Sequence, residues 1–428
     1  MRTSPSNTTD HTHGESPAYT VPSRPPTWRE LQTQIQDLAA AHPPDLCDIS
    51  TMGTSRNGES LPLLTVHGGP LKVAVAAGPH PNEPIGFASL VALARYVLTH
   101  PECREIATWY LIPSTDPDGA VLNEHWWART WPPSLDSYHR GFYRPAVHDQ
   151  PEWTFPAPGF TGQLPETQAL MTVLDTVQPD LLVSLHNSDT GGAYFMTTRG
   201  EAALVDVLST AATRNGLPLE KMPSDCIGWQ TPGPGVFVLP DPTPPPDPAE
   251  AAEWTPAGSS SAHYVARHGG LGIFPEVPMW RTTPASLPTE TGVRHLENAV
   301  ASLSAVLDRL QPITHHKTPY LPAVTDTMAI MRYMSRLMRD RPADGENQDL
   351  PLLVPLRASG MLLRHIDSQL EEVPEHPLLH RERSLLAAEF KERIATAQAA
   401  LRPECVPLRQ TVSYQLDTIF GAVRMLAQ

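Results

Sequence analysis

Three short segments hold side chains that could do chemistry together. In Gly78-Pro79-His80-Pro81-Asn82-Glu83, a histidine and a glutamate lie three residues apart, after an apolar run and ahead of a helical pattern. At the C-terminal end of a strand such a pair can converge on one ion, in the crevice where open α/β sheets bind ligands. In Leu181–Asn187, His186 terminates a second apolar run. In Gly272–Val277, Glu276 places a carboxylate inside a third, where burial is costly without a partner. Each alone is ordinary: HxxE recurs by chance, strand-end histidines bond to neighbours, and edge-strand glutamates face water. Together, His80, Glu83 and His186 make the protein ligand set of a catalytic zinc site, which leaves one position for water. Zinc lowers the pKa of that water towards ~7. Glu276, unligated, is then placed to take its proton, with the metal and a nearby cation stabilising the oxyanion. One Zn2+ per chain is expected; Co2+ or Mn2+ suits the same ligands less well.

The elements that must position these residues alternate. Thr27 caps an expected helix through Leu31, Ile35 and Leu38, ended by Pro43-Pro44. Asp48–Met52 and Leu61–Val66 read as strands around the turn Gly53–Gly58. Lys72–Ala77, Trp109–Ile112, Leu181–Leu185 and Gly272–Val277 read as buried strands. Ile85–Leu98, Glu166–Val177 and Gly292–Leu310 carry helical spacing. This order predicts an α/β fold with a mixed, mainly parallel sheet flanked by helices. Apolar stripes after Pro312 predict four further helices in an antiparallel bundle. The expected division is a disordered polar tail over 1–25, a catalytic domain over 26–315 and a helical domain over 318–428. The proline run from Pro240 to Pro248 predicts a stiffened loop.

At 428 residues the chain exceeds what one core usually serves. Its net charge of −15, with only Lys72, Lys221, Lys317 and Lys391 as lysines, argues against nucleic acid as a partner. No stretch of about 18 apolar residues predicts a membrane span. The polar segment Met1–Thr20 lacks the apolar core of a signal peptide. The four cysteines are scattered and read as free thiols. A cytoplasmic enzyme is the expectation.

From residue 28 to about 310 the chain resembles the zinc carboxypeptidases and their amidohydrolase relatives. Gly53–Gly58 resembles the family's glycine turn, and His80 with Glu83 its HxxE pair. Asp116-Pro117-Asp118-Gly119 resembles its Asn-Pro-Asp-Gly turn, and Pro165-Glu166-Thr167 the opening of the helix before the third ligand. His186 matches that ligand and Glu276 the general base. The resemblance implies a metallopeptidase of carboxypeptidase type and a carbonyl-polarising arginine, for which Arg129 stands one residue out of register. It also implies a cation for the substrate's terminal carboxylate. The family's Asn-Arg pair is missing; Arg140 and Arg144 are the nearest substitutes. Counting 22 residues back from Glu276, the position of the family's active-site tyrosine holds Trp254, which could wall a substrate pocket.

Three functions follow as alternatives. The first is a zinc carboxypeptidase acting on a peptide. The second, motivated by the departures, is a zinc amidohydrolase or esterase acting on a small acylated molecule. The third is a non-catalytic binding protein on this fold. The C-terminal helices are a candidate surface for oligomerisation.

Overall fold

A computed structural model of the protein describes residues 18–242, 258–283, 287–313, 316–340 and 349–428. Trp254 and most of the proline run lie outside the described residues.

The first helix, α1 (Trp28–Ala40), opens with a reciprocal capping box between Thr27 and Glu30 and buries Trp28, Leu31 and Ile35. A hairpin follows, β1 (Cys47–Thr54) and β2 (Ser60–Val66). Next come β3 (Leu71–Ala77), α2 (Ile85–Thr99), α3 (Pro101–Ile106) and β4 (Ala107–Ile112). Three short helices, α4 (Pro117–Asn123), α5 (His125–Ala128) and α6 (Leu135–Gly141), lead to α7 (Pro165–Val177). The sheet continues with β5 (Leu181–Ser188) and β6 (Tyr194–Thr197), then α8 (Ala202–Arg214), β7 (Gln230–Gly233) and β8 (Val236–Val238). After α9 (Ser261–Ala266) come β9 (Leu271–Pro278) and the short β10 (Trp280–Arg281). The rest is α10 (Thr289–Leu310), α11 (Tyr320–Asp340), α12 (Leu350–Glu372), α13 (Pro377–Leu401), β11 (Glu404–Cys405) and α14 (Leu408–Leu426).

Nine strands form one sheet in the order β1-β2-β4-β3-β5-β9-β6-β8-β7. Its centre, β4-β3-β5-β9, is parallel; the flanks add antiparallel pairs, which gives the expected mixed sheet. Side chains alternate between its two faces. Val73, Val75, Leu185 and Ile273 pack on one side with α1, α2, α8 and α14. Ala74, Ala76 and Leu182 pack on the other with α7 and α9.

Two parts differ from the sequence expectation. The C-terminal helices do not form one group of four: α10 packs with α11, α12 and α13, whereas α14 lies on the sheet against α2 and α8. The reason is that α14 is buried along most of its length: Val412, Leu416, Ile419 and Val423 join the apolar core on that face of the sheet, and Gln415 bonds to a strand carbonyl. In the expected N-terminal tail, Tyr19 is buried and donates to Asp417 Oδ1 of α14 at 2.9 Å, so residues 18–25 lie along the body; residues 1–17 fall outside the described residues. All four cysteines are free. Among the described residues no helix is long and apolar enough to cross a membrane.

Candidate active site

The site is built at the C-terminal ends of three adjacent parallel strands. Where β3 ends, Gly78 takes a φ of +56°, and a Cβ there would meet Phe87 Cε1 at 2.5 Å, so only glycine lets the chain turn this tightly. The turn delivers His80 and Glu83 just ahead of α2. On β5 and β9, His186 and Glu276 are register partners, on the same face. His80, Glu83 and His186 are buried, and their ligating atoms lie within 4.8 Å of one another. Glu83 faces both imidazoles: Oε1 is 2.9 Å from His80 Nδ1, and Oε2 is 3.2 Å from His186 Nδ1. The main-chain N–H of Asn187 donates to the same Oε2.

The environment of His186 tests whether a metal fits. Ser184 Oγ donates to Glu152 Oε2 at 3.0 Å and lies 3.4 Å from His186 Nε2. A hydroxyl has one proton, so with that proton on Glu152 its oxygen accepts from Nε2–H. The neutral ring then aims its Nδ1 lone pair at the Glu83 carboxylate, and among the described residues this Nδ1 has no hydrogen-bond partner. A lone pair facing a carboxylate is repulsive unless a cation or a proton lies between them; burial lowers His186, but Glu83, Glu276 and Glu152 outweigh it and raise the ring above its ordinary value, so this is a position that a positive charge fills. At His80, Nε2 lies 2.8 Å from Arg144 Nη2 and 3.2 Å from Trp153 Nε1, both donors, so Nδ1–H points at Glu83; for the neutral ring to ligate through Nδ1, its proton would have to move to Nε2 and those two donors turn aside. Burial, reinforced by Arg144, pushes His80 down to about 3, which keeps the ring neutral as metal ligation demands. Burial would raise Glu83, but His80 and His186 outweigh it and hold the carboxyl below its ordinary range. The residues therefore fit a zinc ion with two nitrogen ligands and one carboxylate.

Glu276 stands beside this group, with Oε1 3.6 Å from His186 Nδ1 and Oε2 unpartnered among the described residues. Burial raises its carboxyl, with Glu83 and Asp225 adding to the shift against His186 and Arg144.

Of the three arginines singled out from the sequence, the structure brings in one. Arg144 contacts His80 and, at 3.4 Å, Glu83 Oε1. Arg129 is exposed at the end of α5. Arg140 is exposed, pairs with Asp136 one helical turn back and lies over the Phe390 ring. Neither has a polar contact with His80, Glu83, His186 or Glu276 among the described residues, so the structure does not bring them together with that group. Leu135, Tyr138 and His139 take the buried side of α6, so Arg140 is left on its outer side.

Other contributors carried no usable sequence signal. Glu152, buried, accepts from Ser184 Oγ and from Ser261 N and Oγ, and so orients His186 from behind. Ser184 sits two residues before His186 on a strand, so its shared face was the one available clue. The sequence motifs around the site also meet in space. Arg56, in the turn between β1 and β2, donates through its main-chain N and Nε to Glu166 Oε1 and lies 3.6 Å from Asp116. Ser55 Oγ and Asn57 N donate to Asp118.

The family model described as zinc carboxypeptidase matches residues 32–267, which includes His80, Glu83 and His186 and ends short of Glu276. No curated protein matches the chain. Among solved structures, carboxypeptidase A from Helicoverpa armigera is 14% identical, with 60% of this chain and 66% of that one covered and a TM-score of 0.40. A metallo-carboxypeptidase from Burkholderia cenocepacia is 16% identical, with 58% of each chain covered and a TM-score of 0.36. Bovine thrombin-activatable fibrinolysis inhibitor, solved with a tick carboxypeptidase inhibitor, is 12% identical, with 59% of this chain and 86% of that one covered and a TM-score of 0.39. With more than half its length matched, and the matched segment carrying the two histidines and the glutamate that converge at the sheet edge, the chain belongs to the zinc carboxypeptidase family.

Proposed function

We propose that the protein is a zinc-dependent hydrolase of a peptide or amide bond, with His80, Glu83 and His186 as ligands of one zinc ion and Glu276 as general base. The observation that carries this reading is the His186 Nδ1 facing Glu83, without a hydrogen-bond partner among the described residues, with the Glu276 carboxyl beside it. Zinc, when bound, supplies a Lewis acid and lowers the pKa of a coordinated water. Glu276 accepts the proton of the attacking water at its carboxylate and returns it to the leaving nitrogen. Arg144 is the cation within reach, suited to a substrate carboxylate or to charge developing on the attacked carbonyl oxygen. Glu152, through Ser184, holds the His186 ring in the tautomer that a ligand needs.

A second reading is favoured by one observation: Arg140 is engaged with Asp136, which leaves Arg144 alone where a carboxypeptidase uses a polar pair for the terminal carboxylate. On this reading the same centre opens an amide or ester of a small acylated molecule. Elemental analysis tests the shared core. About one zinc per chain, lost in His80→Ala and His186→Ala but kept in Glu276→Gln, supports it; a well-folded protein that takes up no zinc overturns it. Turnover of peptides with free against amidated C-termini then separates the two readings.

A further inference from the structure

The helix α14 lies more than 130 residues after Glu276 in sequence and beyond the family match, yet it reaches the main chain of the site from the opposite face of the sheet. Gln415 Nε2 donates to the carbonyl of His186 at 2.8 Å. Its own Oε1 accepts from Ser89 Oγ at 2.6 Å, and Ser89 belongs to α2, the helix that starts two residues after Glu83. The preceding residue, Tyr414, directs its hydroxyl at the carbonyls of Glu276 and Tyr194, at 3.1 and 3.2 Å. Ser89, Tyr414 and Gln415 are all fully buried.

The β5–β9 register runs through Val183 and Ile273 and resumes at His186 and Glu276. Pro275 lies in the gap and has no N–H to give to a ladder. At the strand ends that carry the proposed ligand and base, side chains of α14 donate to the main-chain carbonyls of His186 and Glu276. A buried glutamine with both ends engaged has a fixed length, so it sets the distance between α2 and His186.

We propose that Gln415 is a positioning residue for the metal centre: with Ser89 it ties the helix that follows Glu83 to the backbone of His186, and so holds these two ligand segments at binding distance. Tyr414 does the same for the backbone of Glu276, which holds the base without touching the metal. This inference rests on the zinc reading above.

The test is Zn2+ affinity of the metal-stripped full-length protein, by competition with a chromogenic chelator, together with the visible spectrum of the Co2+-loaded form. Gln415→Leu, alone and combined with Ser89→Ala so that no hydroxyl is stranded, is expected to weaken zinc binding about tenfold and to alter the Co2+ spectrum. Tyr414→Phe is expected to leave affinity unchanged. The comparison is Asp417→Asn, on the same helix and bonded to Tyr19 and Asn215. Equal weakening by Asp417→Asn and Gln415→Leu reduces α14 to a general support and overturns the proposal, as does unchanged affinity in the Gln415 variants. His80→Ala separates the two levels: if it fails to weaken binding, the zinc site itself is wrong, whereas a loss in His80→Ala beside unchanged Gln415 variants defeats only the role of Gln415.

Discussion

His186 and Glu276 are register partners on the adjacent parallel strands β5 and β9, and 3.6 Å separates His186 Nδ1 from Glu276 Oε1. Parallel neighbours in register project from the same face, so the proposed ligand and the proposed base are set side by side by the sheet itself rather than by a loop. Their separation is therefore insensitive to loop motion, as the proton transfer proposed for Glu276 would require.

The first prediction follows from that division of roles. Glu276→Gln keeps the shape of the side chain and removes the base. Turnover is expected to fall by about 10²- to 10⁴-fold, with zinc content unchanged. Loss of metal in this variant would place Glu276 among the ligands instead.

The second concerns the arginines. Arg144→Ala is expected to lower kcat/KM by about 10²-fold, the scale for removal of one charged group at a reacting carbonyl. Arg129→Ala and Arg140→Ala, whose side chains face solvent, are expected to leave it unaltered. Steady-state kinetics on any turned-over substrate checks both, and an effect of Arg140→Ala equal to that of Arg144→Ala would contradict the placement.

Some of this was legible in the sequence and some was not, for physical reasons. His80, Glu83, His186 and Glu276 stand out because polar groups at the ends of apolar runs are costly to bury without a purpose, and the structure gathers all four. The strand and helix order was visible through periodicity. The choice between Arg140 and Arg144 was hidden, because α6 stops at Gly141 and the extended backbone after it turns Arg144 towards His80. Gln415 was hidden differently. A helical stripe of Val412, Leu416, Ile419 and Val423 made the remaining positions of α14 read as its outer side, yet that side meets the sheet. Tyr19 sat in a polar, proline-containing segment whose composition gave no sign of a buried contact.

The third prediction concerns the turn that carries Arg56. Its guanidinium, 29% exposed, is the cation beside Asp116 and Glu166, whose side chains are 1% and 0% exposed. Arg56→Ala leaves two buried carboxylates without it. Unfolding free energy at neutral pH is expected to drop by about 3–5 kcal/mol, measured by denaturant titration. A drop no larger than that of Arg140→Ala would show that water reaches Asp116 and Glu166.

The fourth exploits Asp116 itself. Burial, offset in part by Arg56 and the Gly119 N–H, raises its carboxyl from 3.8 to about 6. An acid with a raised folded pKa binds more protons folded than unfolded between those two values. Stability from this group is thus complete below about pH 4 and declines as pH rises towards 6. The full change amounts to about 3 kcal/mol. Asp116→Asn retains an acceptor for the Gly119 N–H at the start of α4 and cannot titrate. The Tm of the variant relative to wild type is therefore expected to climb as pH goes from 4 to 7, in metal-free protein so that ligand protonation cancels between the two. A constant difference over that range would mean that Asp116 ionises as an ordinary aspartate, with Arg56 cancelling the burial cost in full.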